Sequence, residues 1–195
     1  MEGLRGGLGI RGDDATRSLT VHHNVVWDCG RDGIIVKGDK NRVFNNTVFN
    51  IGYNGNPGNY INLPNVAERA KFAPRNKPAM EVSNKNSRIA NNTAVTIAGD
   101  TEGTPYKFEK NLSHNYREAD LQLMDIENHD FRPKPGSPLV DGGEHIPGFT
   151  DGYKGKAPDI GAYEHGGKHW IPGITWDPQK VLGYTPKGYI RISRP

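Results

Sequence analysis

The chain has a single cysteine, Cys29, so no internal disulfide can hold it together. It lacks any apolar run near the ~18 residues of a membrane-spanning helix, and its opening, MEGLRGGLGIRGDD, lacks the apolar core of a signal peptide. Dense basic stripes are missing too. The 25 Lys and Arg against 22 Asp and Glu leave a net charge of +3, which suits an acidic partner without the footprint of a nucleic-acid binder. Hydrophobic residues make up only 34%, and 25 Gly with 14 Pro point to short strands broken by frequent turns rather than to a helix bundle. A length of 195 residues suits one continuous core. The sequence opens almost directly on patterned material, as an internal piece of a longer, secreted or cell-surface protein is expected to do.

What the chain does have is an echo. NRVFNNTVFN at 41–50 returns as SRIANNTAVT at 87–96, offset by 46 residues. Four segments obey one rule, in which an apolar residue (Val21, Val43, Ile89, Phe108) stands three positions before an asparagine (Asn24, Asn46, Asn92, Asn111). The intervals of 22, 46 and 19 residues fit a rung of about 22 residues, one copy carrying an insert and the last shortened. Upstream, GIIVKGDKNRV and AMEVSNKNSRI superpose without a gap, matching Ile34 and Val36 with Met80 and Val82.

Short alternating strands at this period are what a parallel β-helix requires, with like residues stacked ~4.8 Å apart. Asparagines in register then form a ladder, because each amide both donates and accepts. Over about residues 8–115 the chain resembles the right-handed parallel β-helix proteins. The expectation is an all-β solenoid of about four coils over 1–118, with a long inserted loop at 52–78. The sequon-like asparagines Asn45, Asn91 and Asn111 read as parts of this repeat rather than as glycan acceptors. Over 119–195 the rung period is lost. There DFRPKPGSPLVDGG and APDIGAYE resemble the terminal segment of secreted bacterial β-helix proteins, including the choice-of-anchor Q domain. That resemblance implies a closing segment that covers the last coil and hides its strand edges.

Alternation sends Ile34 and Val36 inward with Leu8 and Ile10, and Ile35, Lys37 and Arg11 outward, with Glu81 and Ser83 outward on the matching strand. Arg11, Lys37 and Ser83 are then expected in one column, with Glu81 beside it. Two cations ~5 Å apart repel unless an anion binds them. The string IIVKGDKN resembles the lysine-bearing strand of the alginate and chondroitin lyase group, which implies β-elimination on an acidic polysaccharide. In that reading Arg11 neutralises the uronate carboxylate and Lys37 removes the α-proton. The acidic residues and the Arg-His-Gly stretch of that group are replaced here by RDGIIV and PAMEVSN. The insert adds Tyr53, Tyr60 and Phe72 for stacking on sugar rings, and Arg69, Lys71 and Arg75 for carboxylates. The competing expectation is a carbohydrate-binding or cell-surface structural protein without catalysis. His22 and His23 face opposite sides of a strand, so no metal pair is expected, and His23 is expected to pack beside the ladder. Asp141, Asp151, Asp159 and Glu164 have the oxygen chemistry of a calcium site, although such residues also serve turns and backbone caps.

Overall fold

A computed structural model describes residues 7–13, 16–53, 56–64, 84–98, 112–168, 170 and 179–180. Apart from the helical pair 179–180, the regular structure of these residues is β. The strands are β1 (Leu8–Gly12), β2 (Thr20–His22), β3 (Val25–Cys29), β4 (Asp32–Val36), β5 (Arg42–Phe44), β6 (Thr47–Tyr53), β7 (Asn56–Pro57), β8 (Asn59–Asn62), β9 (Arg88–Ala90), β10 (Thr93–Ala94), β11 (Ile97–Ala98), β12 (Leu112–Ser113), β13 (Leu123–Asp125) and β14 (Asp130–Pro133).

Three parallel sheets are built in rotation. The first has order β1-β4-β8-β11, the second β2-β5-β9-β12 and the third β3-β6-β10. The chain therefore visits the sheets in a fixed sequence, first, second, third, and then begins again one strand further on. Among the described residues, only β7, folded back on β6, and the β13–β14 hairpin pair antiparallel.

Register stacks like upon like. Ile10, Ile34, Ile61 and Ile97 form one column, and Val21, Val43, Ile89 and Leu112 a second. A third runs through Val26, Val48 and Ala94. These inward columns are the core between the sheets, with Ile34, Val43, Val48 and Ile61 fully buried. β-Branched side chains suit such stacking because they are stiff and fill a pleated face. A core this thin is consistent with the low apolar content.

The corner between the second and third sheets carries the asparagine ladder. The backbone N–H and Nδ2 of Asn24 both donate to Oδ1 of Asn46, at 3.1 and 2.9 Å, and Asn46 does the same to Asn92, at 3.0 and 2.9 Å. Each interior amide also donates backward, Asn46 to the carbonyls of Val21 and Phe44, and Asn92 to those of Val43 and Ala90. The fourth rung is Asn115, whose Oδ1 accepts from Asn92 at 2.9 Å. Asn111, expected in that place, lies outside the described residues. The residue before each ladder position, His23, Asn45, Asn91 and His114, has a positive φ between 47° and 56°. Asparagine and histidine tolerate that conformation better than most residues, so the paired motif is one residue to turn the chain and one to bind the neighbouring turn.

One expectation is corrected. The partner of Ile34 is Ile61, so β8 occupies the first-sheet position assigned to residues 79–83. The stretch 52–78 is thus no uninterrupted loop: β7 and β8 lie within it, because Ile61 supplies the inward apolar residue and the Nδ2 groups of Asn59 and Asn62 both donate to Asp32 Oδ1 at 3.0 Å. The described part of the C-terminal segment packs along the flank of the third sheet and also meets the last strand of the second sheet, where Ser113 donates to Glu144. Leu121, Leu123, Phe131, Leu139, Ile160 and Tyr163 pack with Phe49, against the outward Val25 and Trp27 of the third sheet. Gly161 (φ +108°) is pressed onto the threonine column, where a Cβ would stand 2.9 Å from Thr47 Oγ1 and 3.0 Å from Thr93 Oγ1. There Ala162 N–H donates to Thr47 Oγ1 and Gly161 N–H to the Asn91 carbonyl. Asn45 and Asn91 are buried and bond the same segment, at the Asp159 and Glu144 carbonyls, which leaves no room for a glycan on either.

The ladder predicts a position-dependent loss of stability. Asn46→Ala strands several buried partners and is expected to cost about 3 kcal/mol, whereas Asn24→Ala at the half-exposed end costs about 1 kcal/mol. Chemical denaturation measures both, and equal losses would contradict the ladder as the interior anchor.

Candidate functional site

The two cations expected to stack do not. Arg11 is registered against Ile35, and the Lys37 N–H donates to the Gly12 carbonyl, which sets Lys37 beside Asp13. The Asp13 carboxylate lies between them, 2.7 Å from Arg11 Nη2 and 3.1 Å from Lys37 Nζ. Lys37 is buried, at 8% exposure. An ammonium that already donates to a carboxylate has no free lone pair to act as a base, so the cluster as it stands is a structural bridge. The physical reason lies in RGDD, where Asp13 supplies the anion that the column demanded.

The other expected residues are scattered. Glu81, Arg69, Lys71 and Arg75 lie outside the described residues, as does the side chain of Tyr53 at the end of β6. Tyr60 sits within β8, half-buried and packed against both core clusters, with its N–H donating to Thr96 Oγ1. The oxygens of the C-terminal carboxylates are engaged locally. Asp141 caps the N–H groups of Lys156 and Ala157, Asp159 that of Asp141, and Glu164 those of Asp159 and Lys154. Asp151 meets His145 and the N–H of Gly148. Burial pushes the Asp159 and Glu164 carboxyls up, against these bonds.

A site that sequence reasoning missed lies on the outward face of the second sheet. Arg42 in β5 and Arg88 in β9 are register partners, with Thr20 of β2 continuing the column. One turn column, Ser18, Lys40 and Asn86, all with φ near 60°, forms the rim. Two residues along the strand, Phe44 shares the outward face with Arg42, and Ile146, Pro147 and Phe149 of the C-terminal segment close the far wall. The Phe44 and Phe149 rings meet edge to face at 5.5 Å, and the Arg88 guanidinium stands 5.7 Å over Phe44. Together they enclose an open groove of about 480 Å³.

Its charge is one-sided. Arg88 pairs with Glu144 at 2.8 Å, and Glu144 also accepts from Ser113 and lies 3.8 Å from His114. Burial raises the Glu144 carboxyl, but the bonds from Ser113 and Arg88 outweigh it and hold it below the usual carboxylate range. Among the described residues, neither Lys40 nor Arg42 has an ion-pair partner. The groove thus offers an unpaired guanidinium and an ammonium above an aromatic floor. That arrangement suits an anion with an apolar face, since a guanidinium fork matches a carboxylate and a ring can lie on a ring.

The signal for this groove was in the echo itself. NRVFNN and SRIANN share their arginine as well as their asparagines. Among the described residues no helix is long and apolar enough to cross a membrane. No protein-family model, curated protein or solved structure matches the chain.

Near the groove, His22 and His23 meet Nδ1 to Nδ1 at 3.0 Å, and the His22 ring packs edge-on to Phe149. Burial, then the neighbouring His22, lowers the His23 pKa from its ordinary 6.5. The unfolded chain therefore takes up this proton first, so the contribution is full above about pH 6.5 and is lost as pH falls through the lowered folded value. His23→Asn, which restores the residue used at Asn45 and Asn91, is expected to flatten that part of the stability profile in denaturant titrations. An unchanged slope would remove His23 as its source.

Proposed function

We propose that the chain is a right-handed parallel β-helix of about four coils with a flanking C-terminal segment, and that it binds acidic polysaccharide in the Arg42 and Arg88 groove. The rotation of the chain through three parallel sheets, with like residues in register, supports the fold reading. The observation that carries the function is the registered arginine pair. Two guanidiniums on neighbouring strands repel, Glu144 satisfies only Arg88, and a polymer with a carboxylate or sulfate on its rings supplies the missing charge. Phe44 and Phe149 give the sugar ring an apolar surface. Such a ligand implies an extracellular or cell-surface setting.

Lyase-type elimination at Lys37 and Arg11 is the finer reading. It requires Lys37 to give up Asp13, whereas binding in the groove requires no rearrangement. Carbohydrate binding without catalysis is therefore the reading the geometry supports best.

Calorimetric titration with polygalacturonate, alginate and chondroitin sulfate, against a neutral glycan, tests the binding. Affinity for one or more of the acidic polymers is expected to fall with salt, and Arg42→Ala to weaken it by about tenfold to a hundredfold. Equal binding of the neutral glycan, or indifference to Arg42→Ala, would refute the groove as an acidic-glycan site. Appearance of an ultraviolet-absorbing unsaturated product that Lys37→Ala abolishes would establish elimination instead.

A further inference from the structure

The C-terminal segment carries a second surface that neither the fold nor the groove uses. Trp170 is 39% exposed, yet its position is fixed. Its ring stacks on Tyr163 with centroids 4.6 Å apart and planes 20° from parallel, and the Tyr163 hydroxyl donates to the Trp170 carbonyl at 2.6 Å. Tyr163 is itself buried, packing with Leu139, Ile160 and Phe131 in the core that joins this segment to the third sheet. Trp170 is thus an aromatic plate mounted on the core through a second ring. Burying it fully would have gained apolar area, so its exposure leaves unused contact surface.

Beside the plate is a recess of about 240 Å³, lined by Gly152, Lys154, Glu164 and Lys168 as well as the two rings. Both Glu164 oxygens are occupied by backbone N–H groups, and the Lys154 ammonium is held by the Gly166 carbonyl at 2.8 Å. Among the described residues Lys168 has no ion-pair partner. A flat aromatic surface bordered by two lysines can take the apolar face of a sugar ring and a negative substituent on its edge.

We infer that Trp170, Tyr163, Lys154 and Lys168 form a second subsite, for a saccharide ring bearing an anionic group, on the same glycan that occupies the Arg42 groove. The shared ligand rests on the proposed function; the aromatic subsite does not. Phe149 lines the groove and Gly152 the recess, and the three peptide units between them hold their Cα atoms within about 11 Å. An oligosaccharide long enough to bridge them gains affinity by effective concentration rather than by better contacts at either site.

The test uses the full chain, titrated calorimetrically with oligogalacturonates of increasing length, and follows the Trp170 indole N–H by NMR, assigned by its loss in Trp170→Ala. Long oligomers are expected to shift that resonance and to bind Trp170→Ala about tenfold more weakly, while short ones keep their affinity for the groove. Trp170→Phe, which keeps a ring, should lose less, and unchanged thermal melting shows that the variants are folded. If Trp170→Ala binds every length as the parent does while Arg42→Ala does not, the second subsite is wrong and the groove stands. If acidic oligomers fail at the groove but neutral or acidic sugars still shift the Trp170 resonance, the aromatic subsite stands and the shared-ligand reading is lost. No shift with either class overturns the inference whatever the groove does.

Discussion

The ladder of Asn24, Asn46, Asn92 and Asn115 is the constraint from which the rest of the structure follows. A side-chain amide in a sheet corner can satisfy the backbone of its own turn and that of the turns beside it only if every copy keeps the same place. Its hydrogen bonds join residues 22, 46 and 23 positions apart, so they tolerate insertions anywhere between rungs but no slip at the rung itself. A one-residue slip would turn Val21, Val43 and Ile89 outward and leave several buried amides unpaired. That penalty holds register in a chain whose apolar content could not hold it alone.

Once register is fixed, everything else is placed by columns. The inward ones are aliphatic and make the core. The corner column of Asn45 and Asn91 and the strand column of Thr47 and Thr93 face the C-terminal segment, which reads both at once through Asp159, Glu144 and the APDIGAYE glycine, Gly161. The segment has little regular structure of its own, and its path is set by these bonds and by the packing of its Phe131 on the aromatic face of Trp27 and Phe49. In turn it brings Ile146, Pro147 and Phe149 to the edge of the second sheet, so a groove exists where there would otherwise be a flat row of arginines.

What was legible in the sequence was what the ladder repeats. The rule of an apolar residue three places before an asparagine located β2, β5 and β9, together with Asn24, Asn46 and Asn92. It was ambiguous in KFEKNLSHN, where Phe108 before Asn111 and Leu112 before Asn115 both satisfy it, and the second pair is the one that forms the fourth rung. The first sheet carries no such marker. Its strands fall at uneven intervals, so NYIN was absorbed into a loop although Ile61 completes the isoleucine column. The Arg11 and Lys37 pairing failed for a different reason. Alternation gave the right outward facing, but the register put Lys37 beside Asp13, a residue that the alternation argument did not weigh. The arginines at 42 and 88 were visible in both halves of the echo and went unweighed because the asparagines explained the repeat.

The same stacking that economises on apolar residues creates an electrostatic problem on the outside. A repeat that puts like above like also puts Arg42 beside Arg88, and with water on one face only, neither guanidinium can move more than its own stem allows. The fold offers three remedies: space the charges, insert an internal anion, or leave the column to an external one. At the first sheet the second remedy is complete, since Asp13 spans both Arg11 and Lys37. At the second sheet it is half applied, with Glu144 on Arg88 and Arg42 left to solvent over an aromatic floor. The residual positive charge of this face is therefore concentrated on Arg42, with Lys40 at the rim, beside a guanidinium that Glu144 already holds.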